Sequence, residues 1–161
     1  MLERHAAAAE DERFLRDLYA TTRPDLVSWD EAERDTLVEI QVRAQRTEWL
    51  ARFPDSVEEV ILLDGARIGR IWVAWLPDEC RLVDMTLVPE HRRSGIGTRI
   101  VGEVLAEADR RRVPARLTVE RTNGPSLAFS ARLGFAVVAE DPVYLVLERP
   151  VSGAPPPRAR G

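Results

Sequence analysis

The stretch RRSGIGTRI, residues 92–100, has the residue types of an anion site. Arg92 and Arg93 bring positive charge, Ser94 leads into the glycines, and Ile96 separates them. Gly95 and Gly97 let the backbone approach a ligand with no Cβ in the way. Thr98 adds a hydroxyl where an apolar helical pattern begins. The first amides of a helix lack intrahelical partners, and the helix dipole favours negative charge beside them. With a nest of loop amides, such a turn suits a diphosphate. Three diphosphate sites compete. A P-loop needs Gly-Lys-Ser/Thr, and the chain has no lysine. A dinucleotide site needs a third glycine where Ile100 stands, and it normally follows the first strand of a doubly wound sheet. The third is the diphosphate of coenzyme A.

The flanking elements decide among these. Residues 2–6 form a short edge strand. Residues 10–22 place Phe14, Leu15, Leu18 and Tyr19 on one helical face. RPDLVSWD is a loop, and Ser28 or Asp30 caps a helix running to about Phe53, with Leu37, Ile40, Ala44 and Trp49 as its stripe. Strands follow over 58–64, 67–76 and 80–88. Asp64-Gly65 makes the first hairpin turn, and Pro89 stops the third strand. A helix over 98–111 carries Ile100, Val101, Val104, Leu105 and Ala108. Then come a strand over 115–120, a short helix opened by Pro125 and ended at Gly134, and strands over 135–140 and 143–149. The order β-α-α-β-β-β-α-β-α-β-β is an α+β fold with a mixed, mostly antiparallel sheet. Residues 81–120 form its right-handed parallel crossover. One domain is expected over 1–149, followed by a disordered Pro/Arg tail over 150–161.

Bulk properties exclude several classes. The chain has 161 residues and a net charge of -4, against the net basic face of a nucleic-acid binder. Cys80 is the single cysteine, which excludes an internal disulfide and a Cys-rich zinc site. No apolar run is long enough for a membrane span, and no signal peptide is legible, so the expected location is the cytoplasm. No metal, nucleic acid or membrane partner is expected.

LVDMTLVPEHRRSGIGTRIV resembles the acyl-CoA-binding segment of the GNAT N-acetyltransferase superfamily. The motif Arg/Gln-x-x-Gly-x-Gly/Ala is matched by Arg92 to Gly97. VERTNGPSLAFSARLGF resembles the family's later Asn…helix…Gly-Phe element, and the element order matches over residues 2–149. The resemblance implies helices on both sheet faces, acetyl-CoA as acyl donor and direct attack by a primary amine in a ternary complex. The amine belongs to a small molecule or to a peptide or protein amino terminus. It implies that amides of Met85, Thr86 and Leu87 pair with the pantetheine arm, from a strand splayed away from 115–120. Amides of residues 93–98 then hold the diphosphate.

The resemblance also frames the chemistry. Asp84 lies at a position often acidic in the family and Glu120 ends the neighbouring strand; either could take the ammonium proton, directly or through water. The family's tyrosine acid is replaced by Ser130, which either donates a hydrogen bond to the sulfur or faces a helix groove. Tyr144 is a substitute on the last strand. Asn123 either contacts the coenzyme arm or is a turn residue. Tyr19 and Trp29 are candidate walls of the amine site. The alternative function is a non-catalytic acyl-CoA-binding module, and the assembly is a monomer or homodimer.

Overall fold

The computed structural model describes residues 1–154. It divides into two compact units, Met1–Val73 with Asp84–Ser94 and Ala74–Val83 with Gly95 onward. The first contains β1 (Leu2–Ala6), α1 (Glu12–Ala20), α2 (Glu31–Arg52), β2 (Val57–Leu63) and most of β3 (Ala66–Trp75). Strand β4 (Cys80–Leu87) runs through both units. The second contains α3 (Ile96–Arg111), β5 (Ala115–Glu120), α4 (Gly124–Arg132), β6 (Ala136–Glu140) and β7 (Tyr144–Arg149). The expected element order is the observed one. The seven strands hydrogen-bond in the order β1-β2-β3-β4-β5-β7-β6.

In the first unit β1, β2 and β3 pair antiparallel, with Val60 opposite Arg70 and Glu58 opposite Trp72. Ile61, Ile71 and Trp72 are buried, as the apolar run over these strands requires. Gly69 is where β3 meets β4: a Cβ there would stand 2.5 Å from the Thr86 carbonyl oxygen and 2.6 Å from Leu87. Only a residue without a side chain fits.

Two helical expectations need correction. Helix α1 spans Glu12–Ala20 and follows a 3-10 turn over Ala9–Asp11, a narrower span than 10–22. Of the stripe expected on α2, Trp49 lies on the inward face and Ile40 does not. Val38 is buried while Ile40 is 60 % exposed. The inward row is Val38, Gln41, Gln45 and Trp49, and its glutamines bond Tyr19 and Arg70. Two polar residues at inward positions hid the true periodicity. Asp30 caps α2 as expected, accepting from the Ala32 amide at 3.1 Å, a contact worth about 1 kcal/mol. The RPDLVSWD loop contains a 3-10 turn over Pro24–Leu26.

In the second unit β5 pairs antiparallel with β7, and β7 with β6, so the last strand inserts between the two before it. The β4–β5 pairing is parallel, as the crossover requires, and consists of Cys80 with Ala115 and Arg81 with Arg116. Both strands run on beyond these pairs, to Leu87 and Glu120. Helix α3 begins at Ile96, two residues before the expected start, and buries Ile100, Val101, Val104, Leu105 and Ala108. Of the tail expected to be disordered, residues 150–154 are described. There the Ser152 amide and hydroxyl both bond Asp109 at 2.8 Å. Residues 155–161 lie outside the described residues.

Candidate active site

The glycine stretch begins after a 3-10 turn over Pro89–His91. Its backbone conformation is set by Arg93, at φ 58°, and Gly95, at φ 84°. The left-handed conformation at 95 favours glycine. The first intrahelical bond of α3 runs from the Arg99 amide to the Gly95 carbonyl at 3.0 Å. The six preceding amides, Arg93 to Thr98, donate to no protein acceptor among the described residues. Such a run of unpaired donors at a helix start can hold a multiply charged anion. This is a fit to a diphosphate made by the main chain.

Arg92 is committed within the first unit: its Nε donates to the Leu87 carbonyl at 2.8 Å and its Nη2 to the Thr21 hydroxyl at 2.9 Å. Ser94 donates its hydroxyl to the His91 carbonyl at 2.6 Å. These contacts brace the turn that presents the amides.

Asp84 stands at the centre of a cluster that the sequence reading did not find. Arg70 on β3 donates Nε at 3.0 Å and Nη2 at 2.8 Å to the same Asp84 oxygen, Oδ2. Thr86 donates its hydroxyl to that oxygen at 3.1 Å. Arg70 also donates Nη1 to Glu58 and Nη2 to Gln45, each at 3.3 Å. Arg46 closes the network by donating to Glu58 at 2.5 Å. The guanidinium lies 5.5 Å from the Trp49 ring and 5.9 Å from Trp72, and the two rings meet edge-on at 5.2 Å. The Arg70 side chain is 6 % exposed and that of Asp84 24 %. Burial alone would lower the Arg70 pKa, but the Asp84 and Glu58 carboxylates outweigh it and raise it. Arg70 therefore stays charged. An arginine inside the run RIGRIWVAWL was the available signal, because a buried guanidinium must be paired.

The other candidates are placed as follows. In the first unit, Tyr19 donates its hydroxyl to Gln41 at 3.1 Å. Trp29, 47 % exposed, lines an open groove with Ala32, Glu33, Thr36, Leu37 and Ile40. In the second unit, Glu120 lies directly opposite Tyr144 across the β5–β7 ladder, and both are exposed. Asn123 caps α4, its Oδ1 accepting from the Ser126 amide at 3.2 Å. Ser130 is buried, and its hydroxyl donates to the Ser126 carbonyl at 2.8 Å. Among the described residues, no cluster of His, Cys, Asp or Glu could hold a metal ion. No described helix is long and apolar enough to cross a membrane.

Comparison with known proteins bears on this geometry. The family model described as the Acetyltransferase (GNAT) family matches residues 13–135. Among solved structures, the PaiA N-acetyltransferase of Thermoplasma acidophilum in complex with coenzyme A is similar, with TM-score 0.71 and 18 % identity over 93 % of this chain and 99 % of that one. The ribosomal-protein-S18-alanine N-acetyltransferase of Escherichia coli has TM-score 0.64 and 16 % identity, over 96 % and 97 % of the two chains. A GNAT family acetyltransferase of Elizabethkingia anophelis with acetyl-CoA bound has TM-score 0.61 and 11 % identity, over 92 % and 97 %. No curated protein matches the chain by sequence.

Proposed function

The chain belongs to the GNAT family of acetyltransferases, and we propose that it transfers an acetyl group from acetyl-CoA to a primary amine by direct attack in a ternary complex. The observation that carries this reading is the run of unpaired amides from Arg93 to Thr98 ahead of α3. It supports a diphosphate-bearing acyl donor. The similar structures described with coenzyme A and with acetyl-CoA support the same donor. The acceptor is an amine of a small molecule or the amino terminus of a peptide or protein; the S18-alanine N-acetyltransferase among the similar folds supports this class.

In this mechanism the thioester supplies an activated carbonyl. The amides of Arg93 to Thr98 hold the diphosphate, and amides of Met85, Thr86 and Leu87 orient the pantetheine arm. One of these β4 amides faces the carbonyl oxygen and stabilises negative charge as the amine attacks. The amine arrives as an ammonium and must lose a proton before its lone pair can attack. Asp84 binds that ammonium and takes its proton, directly or through water. Glu120, opposite Tyr144 on β7, is the alternative carboxylate for proton removal. The carbon–nitrogen bond forms as the carbon–sulfur bond breaks, the nitrogen gives up its second proton to water, and the thiolate leaves with a proton from Tyr144 or from water.

The test is thiol release from acetyl-CoA over a panel of primary amines, with Asp84→Asn as the variant. Loss of about a hundredfold or more in kcat/KM is expected for removal of a general base. Wild-type kcat/KM across pH removes Asp84 from the mechanism. A second reading, an acyl-CoA-binding module without turnover, is favoured by one observation: the Ser130 hydroxyl is already donated to Ser126. Calorimetric binding of acetyl-CoA with no turnover of any amine would support that reading.

A further inference from the structure

The hydrogen bonds to Asp84 are lopsided. Oδ2 receives three donors, Arg70 Nε, Arg70 Nη2 and the Thr86 hydroxyl, at 2.8 to 3.1 Å. Among the described residues no donor reaches Oδ1, although the side chain is only 24 % exposed. An arginine paired with a carboxylate for stability alone usually spreads two N–H groups over two oxygens. Here both fall on one.

Stability does not explain the arrangement either. Arg70 lies on β3 among Ile68, Ile71, Trp72 and Val73, all buried. Burying a guanidinium among such residues costs desolvation energy that a well-packed apolar side chain avoids. The guanidinium is also held on every side. Glu58 and Gln45 take two of its three remaining N–H groups, and Trp49 and Trp72 flank it. Its orientation is thereby fixed, and with it the rotamer of Asp84.

We propose that Arg70 is a positioning residue for acceptor use: it occupies Asp84 Oδ2 and so turns Oδ1 toward the acceptor ammonium. Arg70 touches no substrate itself. The acceptor is accordingly cationic at its reactive nitrogen and makes its ion pair with a single carboxylate oxygen. This inference rests on the reading of Asp84 given under Proposed function. A lysine at 70 keeps the charge but replaces a rigid planar fork with a rotating point charge. It leaves Asp84 ionised and free to turn.

The test is a double-mutant cycle on the full chain with acetyl-CoA, using the panel amine with the highest kcat/KM. Arg70→Lys should lower acceptor kcat/KM about tenfold or more, a typical cost of misplacing a reacting partner. Acetyl-CoA affinity by calorimetry should stay unchanged, which also reports that the variant is folded. In the Asp84→Asn background the same substitution should cost less than about twofold, because the two residues act as one unit. An equal loss in both backgrounds, or no loss in either, overturns the positioning role and leaves the Asp84 mechanism standing. Wild-type kcat/KM in Asp84→Asn alone overturns both. No turnover of any panel amine overturns acetyl transfer itself, and this inference with it. Arg70→Met, which leaves Glu58 and Asp84 without their guanidinium, should lower the melting temperature. Arg70→Lys should lower it far less.

Discussion

The Ser130 hydroxyl donates to the Ser126 carbonyl one turn earlier in α4, at 2.8 Å, and the residue is 3 % exposed. A serine bonded back into its own helix has spent its only proton. Replacing it removes one intrahelical side-chain bond. Ser130→Ala should therefore keep kcat within about twofold of wild type and change stability by less than about 1 kcal/mol. Thiol-release kinetics and thermal unfolding check both. A drop in kcat without a change in KM would restore the serine as the acid.

Gly69→Ala would place a Cβ 2.5 Å from the Thr86 carbonyl oxygen. That atom is backbone, so it cannot swing aside. Either β3 or β4 must move, at a cost of about 1–3 kcal/mol for overpacking. The displaced residues are Thr86 and Leu87, proposed to present amides to the donor. The variant should thus lose both melting temperature and acetyl-CoA affinity. Loss of stability with wild-type affinity would mean that β3 gives way instead.

How much of this was legible depended on range. The glycine stretch is local: residue type, spacing and the helix start are all within ten residues. Only the true start at Ile96 was missed, because Gly97 reads as loop while its backbone is helical. The element order was legible for the same reason, since each strand and helix carries its own period. Arg70 was not. Its partners come from positions 45, 58 and 84 on three other elements. Its place in an apolar strand reads as an outward residue until the pairing of β2 with β3 is known. The α2 face failed similarly, because Gln41 and Gln45 are polar residues facing inward. The insertion of β7 between β5 and β6 is a choice between pairings of similar strands, and periodicity is silent on it.

Acid should weaken the protein in a defined window. Burial pushes Asp11 up, but bonds from Arg67, the Ala8 amide and His5 more than offset this and hold it at about 2. Arg149 and Ser152 hold Asp109 at about 2 against a smaller burial effect. The folded values lie below the ordinary 3.8 of an aspartate. The stabilisation is thus fully present above about pH 4 and is lost as pH falls through 2. For Asp11, whose side chain is wholly covered, the shift corresponds to roughly 2 kcal/mol. Urea unfolding at pH 7 and pH 3 should show the decline. Asp11→Asn should flatten it and lower stability at pH 7. An unchanged pH slope in that variant would count against the His5–Asp11–Arg67 cluster.

Cys80 should be unreactive in the native state. Burial pushes its thiol up to about 12, and its backbone amide is tied to the Pro114 carbonyl at 2.8 Å. The thiolate is the reactive form. At pH 8 a disulfide reagent should leave the native thiol untouched over the time in which it labels the urea-unfolded chain. Thiol-release assays with such reagents are then free of background from the enzyme. Rapid native labelling would disprove the burial of this residue.

The amides from Arg93 to Thr98 have one further consequence. A ligand gripped by main-chain donors reads the course of the backbone and is nearly deaf to the letters hung on it. A saturation library across 93–98, scored by acetyl-CoA binding, should give a flat landscape at Ser94 and Ile96 and a sharp trough at Gly95, where the left-handed turn is made. Donor recognition of the kind proposed is inherited as a shape, and two chains can share it while sharing few residues.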